Sequence, residues 1–429
     1  MDDIKWVEIH YTDLLGRLRV VVVKYNDGRI MSGVDGSSIG VEEIEESDVF
    51  VVGDRETLRK LPWNNGFARV IGNIYRDSDT IHPLDSRNIA KNVGEYVVRE
   101  YGLTPLVGVE LEYFVFKECR VEYKPPFSAL YTVKPLDRSI KGVSSGYHVF
   151  NGELDSYRNE VVEVLAKWFN IDVKCHHHEV ASSQVEITLA PDSPVKTGDS
   201  VQTVKYIARR VAERRGYYAC FTPKPLPGEN GSGQHIHISL WRNTENVFSD
   251  SNDTYGLSQT ARYFIGGLIS HARALAALVA PSVNSYKRLI PGYEAPVYVF
   301  WGFKNRSTCI RVPLVNNGSS TRIEFRTPDP TCNPYLAISA VIMAGLDGIK
   351  KKIDPGDPVD ENIYSLRKVP REKRLPASLL EALEELENDN EFLKPVFPRE
   401  LIEKYIEAKK REYIEVNQHP SPIEILMYS

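Results

Sequence analysis

In the segment TRIEFRT, Arg322, Glu324 and Arg326 alternate with Ile323 and Phe325. Successive side chains of a strand point to opposite faces, so a strand here carries three charges on one face and two apolar groups on the other. Alone, that pattern fits any strand with one face in water. Three other segments are written the same way: Glu110 and Glu112 in VGVELEYFVF, His235 and His237 in QHIHISL, and Gln184 and Glu186 in SQVEITL. Together they describe a sheet with one face packed on helices and the other lined with Glu, His and Arg.

Such a face needs cations. Two carboxylates about 4 Å apart repel by roughly 4 kcal/mol at the effective dielectric of protein sites, so a cluster of them does not stay ionised unaided. Carboxylate oxygens with one imidazole suit Mg²⁺ or Mn²⁺, whereas zinc normally draws on Cys or more His. The metal candidates are therefore Glu110, Glu112, Glu179, Glu186, Glu324 and His235. Within residues 284–326, Arg288, Arg306, Arg311 and Arg326 are threaded with Glu294 among glycines, prolines and β-branched residues, without helical spacing. Guanidinium forks match carboxylate and phosphate geometry. Divalent metal beside several arginines points to phosphoryl transfer from a nucleotide.

The 429 residues suffice for one large domain and a smaller one. Their 53 basic and 58 acidic side chains give a net charge of −5 with the signs well mixed, so neither a nucleic-acid nor a membrane partner is expected. Cysteines at 119, 175, 220, 309 and 332 form no CxxC pair and leave an odd count, against a disulfide framework or a zinc ribbon. MDDIKWVEIH lacks a signal-peptide layout, and the most apolar stretch, residues 268–283, is interrupted by His271 and Arg273. A cytoplasmic protein is expected.

Residues 4–25 read as two strands around a turn at 13–16, with residues 20–23 a buried run of valines. A further strand is expected at 69–75, and Pro83 and Asp85 introduce a helix over 87–101, which puts a domain boundary near 84. Residues 119–146, with Pro125 and Pro126, read as loop. Helical spacing follows over 160–169, 199–215, 257–280 and 334–351, and again in the C-terminal part. Neighbouring strand residues face opposite ways, so the histidines of CHHHEV cannot all hold one ion. Structural or substrate-positioning roles are expected for His176, His177 and His178. GENGSG lacks the Lys-Ser or Lys-Thr of a P-loop and reads as a turn exposing backbone to a small ligand.

The stretches DGSSI, GVELEYF, HHHEV with SQVEI, ENGSGQHIHIS, NSYKRLIPGYEAP, KNRSTCIRVP and TRIEFRTPDPTCNPYLA stand in this order, and over nearly its whole length the chain resembles the glutamine synthetases. NSYKRLIPGYEAP and the NGSG-x-H segment are the most specific of these. The resemblance implies an α+β fold, with a small β-grasp domain over residues 1–84 and a catalytic domain over 85–429 whose curved antiparallel sheet lines the site. It implies ATP-dependent ligation of ammonia to the γ-carboxylate of L-glutamate through γ-glutamyl phosphate. The assembly implied is a homo-oligomer of stacked rings, a dodecamer, with active sites shared between neighbouring subunits.

Matched position by position, the family places one Mg²⁺ or Mn²⁺ on Glu112, Glu179 and Glu186 and a second on Glu110, His235 and Glu324, two or more per subunit. Glutamate falls to Asn230, Gly231, Arg288, Glu294, Arg306 and Arg326, and ATP to His237, Ser239, Arg306, Arg311 and Arg322. Asp35, Asp48, Tyr147 and Glu179 match the ammonium pocket, with Asp35 the general base, reaching in from a neighbouring subunit. Glu294, Arg306 and Arg326 complete the catalytic group, Glu294 closing over the intermediate.

Some positions depart from the family pattern. Ser319 stands for a usual Lys and Lys174 for a usual Glu, both beside the expected nucleotide, and HVFNGELD follows Tyr147 in place of a run with Phe and Pro. Glu43 stands where one subgroup uses an Arg for glutamine feedback, and Tyr364 lies in NIYSLRKVPREK, unlike the context of adenylylated relatives. Neither form of regulation is expected. Two rival readings are a γ-glutamyl ligase for a larger amine, such as a polyamine or ethanolamine, and a catalytically silent scaffold. Asp35, Asp48 and Tyr147 favour ammonium, and the full set of six metal candidates speaks against a scaffold.

Overall fold

The computed structural model describes residues 3–124, 128–140, 143, 145–148, 152–366 and 368–428. Its first sheet joins β1 (Trp6–Thr12), β2 (Leu18–Lys24), β3 (Met31–Asp35), β4 (Asp48–Lys60) and β5 (Phe67–Tyr75) in the order β2-β1-β5-β4-β3. Asp13 closes the β1–β2 turn by accepting from the backbone NH groups of Leu15 and Arg17, at 3.1 and 2.8 Å. The expected buried run at residues 20–23 is not fully buried: Val20 and Val22 are 55 % and 46 % exposed. Strand β2 is an edge, and its period of two turns alternate valines to solvent whatever their hydrophobicity.

His10 on β1 is buried, with Nε2 2.9 Å from the Glu8 carboxylate and its ring edge-on to Tyr206. Burial, with Arg69 nearby, outweighs Glu8 and lowers its pKa to about 4. The folded chain therefore holds this imidazole neutral while the unfolded chain protonates it near its ordinary value of 6.5. The contribution is present above that value and lost as pH falls toward 4. Going from about pH 7 to about pH 5 should cost about 2 kcal/mol of stability through this group, and His10→Asn should remove that part of the slope in denaturant titrations.

The second sheet contains β6 (Thr104–Lys124), β7 (Ser128–Pro135), β8 (Val173–His178), β9 (Gln184–Leu189), β10 (Tyr218–Cys220), β11 (Gln234–Arg242), β12 (Glu245–Asn246), β13 (Trp301–Phe303), β14 (Ile310–Val312) and β15 (Ile323–Phe325). Its main path is β13-β14-β15-β11-β6-β9-β8, antiparallel except for the parallel pair β13–β14. The expected loop at 119–146 is in large part a hairpin. β6 and β7 pair from Phe116 with Pro135 out to Lys124 with Ser128. Cross-strand partners such as Val121 with Tyr131 are strand-forming types, and they outweigh the breaking tendency of two prolines. Pro125 and Pro126 lie outside the described residues.

Helices α1 (Ser86–Tyr101), α2 (Glu153–Phe169), α3 (Pro194–Arg214), α4 (Gln259–Val279), α5 (Ser285–Arg288), α6 (Pro334–Lys351), α7 (Leu379–Asn388), α8 (Arg399–Asn417) and α9 (Pro422–Tyr428) complete the chain. Side chains of Asp85, Ser258 and Asn333 cap α1, α4 and α6 by accepting from first-turn NH groups. Helix α3 starts at Pro194, five residues before the sequence periodicity suggests, because a proline is accommodated in a first helical turn. Helices α4 and α6 cross at backbone contact: a Cβ on Gly267 would meet the Ala344 carbonyl oxygen at 2.1 Å, and one on Gly348 the Tyr263 carbonyl oxygen at 2.2 Å. Their buried apolar residues share one core with the inner faces of both sheets. No described helix is long and apolar enough to cross a membrane.

Candidate active site

Cross-strand register arranges the outer face of the second sheet in rows. Arg311 on β14 stands opposite Glu324 on β15, and Glu324 opposite His237 on β11. His235 pairs with Glu110 on β6, Glu112 with Glu186 on β9, and Glu186 with His177 on β8. The residues between them, Leu111, Val185, Ile187, Ile236, Ile323 and Phe325, are buried in the core. Alternation thus sends the apolar side of each strand into the core and its polar side into a cavity.

The rows bring ligand atoms together. Glu110, His237 and Glu324 each offer one within 4.8 Å of the others, and so do His177, Glu179 and Glu186. His235 lies beside the first group, 3.2 Å from Glu110 and 3.8 Å from Glu324, and 3.6 Å from Glu112. Glu112 accepts from the Gly233 NH at 3.0 Å and the Gln184 amide at 3.2 Å. Nearby, Asn230, Gly231, Arg288, Glu294, Arg306 and Arg326 line the same cavity as the carboxylates.

Electrostatics divides the acids into two kinds. Burial, then repulsion from Glu112 and Glu186, pushes the Glu179 carboxyl well above its usual range. Burial also raises Glu112 against the pull of His235. On the other side of the face, burial of Glu110 is outweighed by His237 and by the His235 hydrogen bond, which hold its carboxyl well below the usual range. Glu324 is fully buried, yet Arg326, with His237 and Arg311, holds it at about 2. Both guanidiniums bond its carboxylate directly. Arg288 is fixed by donating to the carbonyls of Thr327 at 2.8 Å and Arg326 at 3.0 Å. The buried Nε atoms of Arg311 and Arg326 have no hydrogen-bond partner among the described residues.

An adjoining cavity of about 340 Å³ is lined by the apolar Leu106, Ile238 and Trp241 and by the polar Glu110, His237, Ser239 and Arg322. Arg322 Nε lies 3.2 Å from His237 Nδ1. The departures Lys174 and Ser319 both line this cavity. Tyr147 lines it too, its ring 4.3 Å from that of His177. Of the run that follows Tyr147, residues 149–151 lie outside the described residues.

Two expected residues are elsewhere. Asp35 and Asp48 face each other at the ends of β3 and β4, exposed, and neither lines the carboxylate cavity. Hydrogen bonds from Ser38 and Ser37 hold the Asp35 carboxyl at about 2. Conversely, His177 takes a place among the carboxylates, 3.4 Å from Glu179 and 3.3 Å from Glu186, that was not assigned to it from sequence. Its spacing of two from Glu179 was the available signal. His178 points the other way, buried against Asp137 at 2.9 Å, as strand alternation requires.

Comparison with known proteins gives the same architecture. Residues 3–77 match the family model for the glutamine synthetase β-grasp domain and residues 83–428 that for the glutamine synthetase catalytic domain. A glutamine synthetase of Sulfolobus acidocaldarius is 41 % identical, the match covering all of this chain and 96 % of that one. One from Thermotoga maritima is 38 % identical over all of this chain and 97 % of its own length. The cryo-electron microscopy structure of Plasmodium falciparum glutamine synthetase superposes with a TM-score of 0.88 at 28 % identity, covering 100 % of this chain and 96 % of the other.

Proposed function

The chain belongs to the glutamine synthetase family, and we propose that the polar face of its second sheet joins ammonia to the γ-carboxylate of L-glutamate at the expense of ATP. The observation that carries this reading is the juxtaposition on one face of buried carboxylates, imidazoles and guanidiniums. Domain limits of 1–84 and 85–429 go with it.

Glu112, Glu179 and Glu186 would hold one divalent ion and Glu110, His235 and Glu324 another. The donor set fits: oxygens dominate, and the elevated Glu179 carboxyl is crowded by two acids whose charge a cation would offset. Mg²⁺ or Mn²⁺, two or more per subunit, would supply Lewis-acid polarisation of phosphoryl oxygens there.

A carboxylate cannot expel oxide, so its γ-oxygen must first attack the terminal phosphorus of ATP, releasing ADP and leaving γ-glutamyl phosphate. Asn230, Gly231, Arg288 and Arg326 would place glutamate. His237, Ser239, Arg311 and Arg322 would place ATP in the adjoining cavity, and Arg306 with Arg311 would offset the charge that moves. Asp35 would take a proton from ammonium in a pocket shared with Asp48, Tyr147 and Glu179. Ammonia would then attack the carbonyl carbon, the C–O bond to phosphate would break, the nitrogen would give up one proton to the departing phosphate, and Glu294 would keep water out. That Asp35 and Asp48 stand apart from the cavity in one chain supports a site completed by a neighbouring subunit, as in stacked rings of twelve.

Phosphate release with ATP, Mg²⁺ and glutamate is expected to require ammonium and to yield glutamine. Turnover with a polyamine or ethanolamine alone would replace the amine in this reading, and silence with every amine would favour a scaffold.

A further inference from the structure

The residues proposed to close and to charge the site, Glu294 and Arg306, sit on two separate loops. Neither loop is held by the sheet alone. Glu294 is a non-glycine residue at φ 58°, in the left-handed region, which persists only where its surroundings fix it. Its carbonyl lies 3.5 Å from an Arg326 guanidinium nitrogen, a long contact, while the next carbonyl, of Ala295, accepts from the Tyr364 hydroxyl at 2.7 Å. The second loop hangs on the same segment. Asn305 donates its amide to the carbonyls of Val359 and Glu361, at 2.8 and 2.9 Å, and Ser307 Oγ accepts from the Ile363 NH at 3.2 Å. Residues 359–365 are themselves anchored, Val359 by its NH to the Trp301 carbonyl at 2.8 Å and Tyr364 by a turn that Asn362 caps.

Resting on the proposed reaction, we infer that residues 359–365 act as a strap tying both loops to one frame, with Tyr364 the positioning residue that holds the Glu294 loop over the intermediate. The phenol is half-buried, and burial pushes its pKa up to about 12, so it stays a proton donor at working pH. Glu294, Arg306, Asn362 and Tyr364 also line one cavity of about 300 Å³ beside these contacts. The Tyr364 hydroxyl donates directly to the Ala295 carbonyl. Tyr364→Phe keeps the ring and removes only that bond.

Two measurements test this. Hydrogen exchange at residues 291–297 should be about 3- to 10-fold faster in Tyr364→Phe than in the parent, the change expected when one hydrogen bond is lost. Exchange unchanged in this segment overturns the inference, whatever reaction the protein performs. In turnover, a loosened loop admits water, which attacks the acyl phosphate in place of ammonia and returns glutamate and phosphate. Phosphate released per glutamine formed should then rise above one by about 2-fold or more, with the KM for ATP unaltered. A ratio that stays at one in the variant, beside a parent that makes glutamine, also overturns it, whereas a parent making no glutamine speaks against the reaction and leaves the exchange result to decide.

Discussion

Two variants that are each inactive, Asp35→Ala and Arg306→Ala, are expected to recover about a quarter of parental activity when their subunits are dissociated, mixed equally and reassembled. Asp35 lies exposed at the end of β3, while Arg306 lines the carboxylate cavity. Asp35→Ala removes the proposed base, worth about 10²- to 10⁴-fold. Arg306→Ala removes a proposed charge-stabilising group, worth about 10²- to 10³-fold, and its exposed position leaves the fold intact. If each site takes Asp35 from one subunit and Arg306 from its neighbour, random assembly makes about one site in four wholly parental. A site contained in one chain predicts no recovery. Activity of the mixture equal to the mean of the two variants would therefore sink the shared site, while the parental reaction could stand.

The second large effect concerns Glu324→Gln. This substitution keeps shape and removes charge from a fully buried side chain that bonds both Arg311 and Arg326. Arg326 is itself buried and Arg311 nearly so, so the variant leaves two guanidiniums facing one neutral amide. Removing one partner of a buried ion pair costs about 3–5 kcal/mol, and the melting temperature should fall by several degrees. Activity should fall about 10³-fold or more, since the same residue is a proposed metal ligand. Binding of Mn²⁺, followed by its electron paramagnetic resonance signal, should weaken in parallel. A variant as stable as the parent would mean that the two arginines find other partners, and retained Mn²⁺ binding would remove Glu324 from the ligand set.

The polar face was legible because it rests on a local rule. Alternation within TRIEFRT, VGVELEY, QHIHISL and SQVEITL needs no knowledge of the partner strands, and the rows of Arg311, Glu324 and His237 follow once those strands pair. What was misread depended on tertiary context. The valines at 20–23 look buried from composition, but only position in the sheet decides that β2 is an edge. Two prolines made 119–146 look like loop, although strand pairing on both sides of them prevails. Strand alternation leaves His177, one of three adjacent histidines, with only a structural or substrate-positioning expectation, and its closeness to Glu186 appears only through the β8–β9 register. Ala295 and Tyr364 are sixty-nine positions apart, and nothing local in either announces their hydrogen bond.

The path of the second sheet also sets a timetable. All five strands of the first sheet lie within residues 6–75, so every partner in its pairing is made early in synthesis. In the second sheet, Glu110, Glu112, Glu179 and Glu186 emerge long before β14, which brings Arg311, and before β15 with the residue after it, which bring Glu324 and Arg326. A nascent chain therefore passes through a stage in which closing these acids into one face would lack Arg311 and Arg326, and like charges make such premature closure costly. Non-local pairing of this kind is slow, and the last strands to leave the ribosome are the ones that lower the charge cost of closing the face. Chains that stall before residue 310 should accordingly remain open there, exposing sheet edges that chaperones bind.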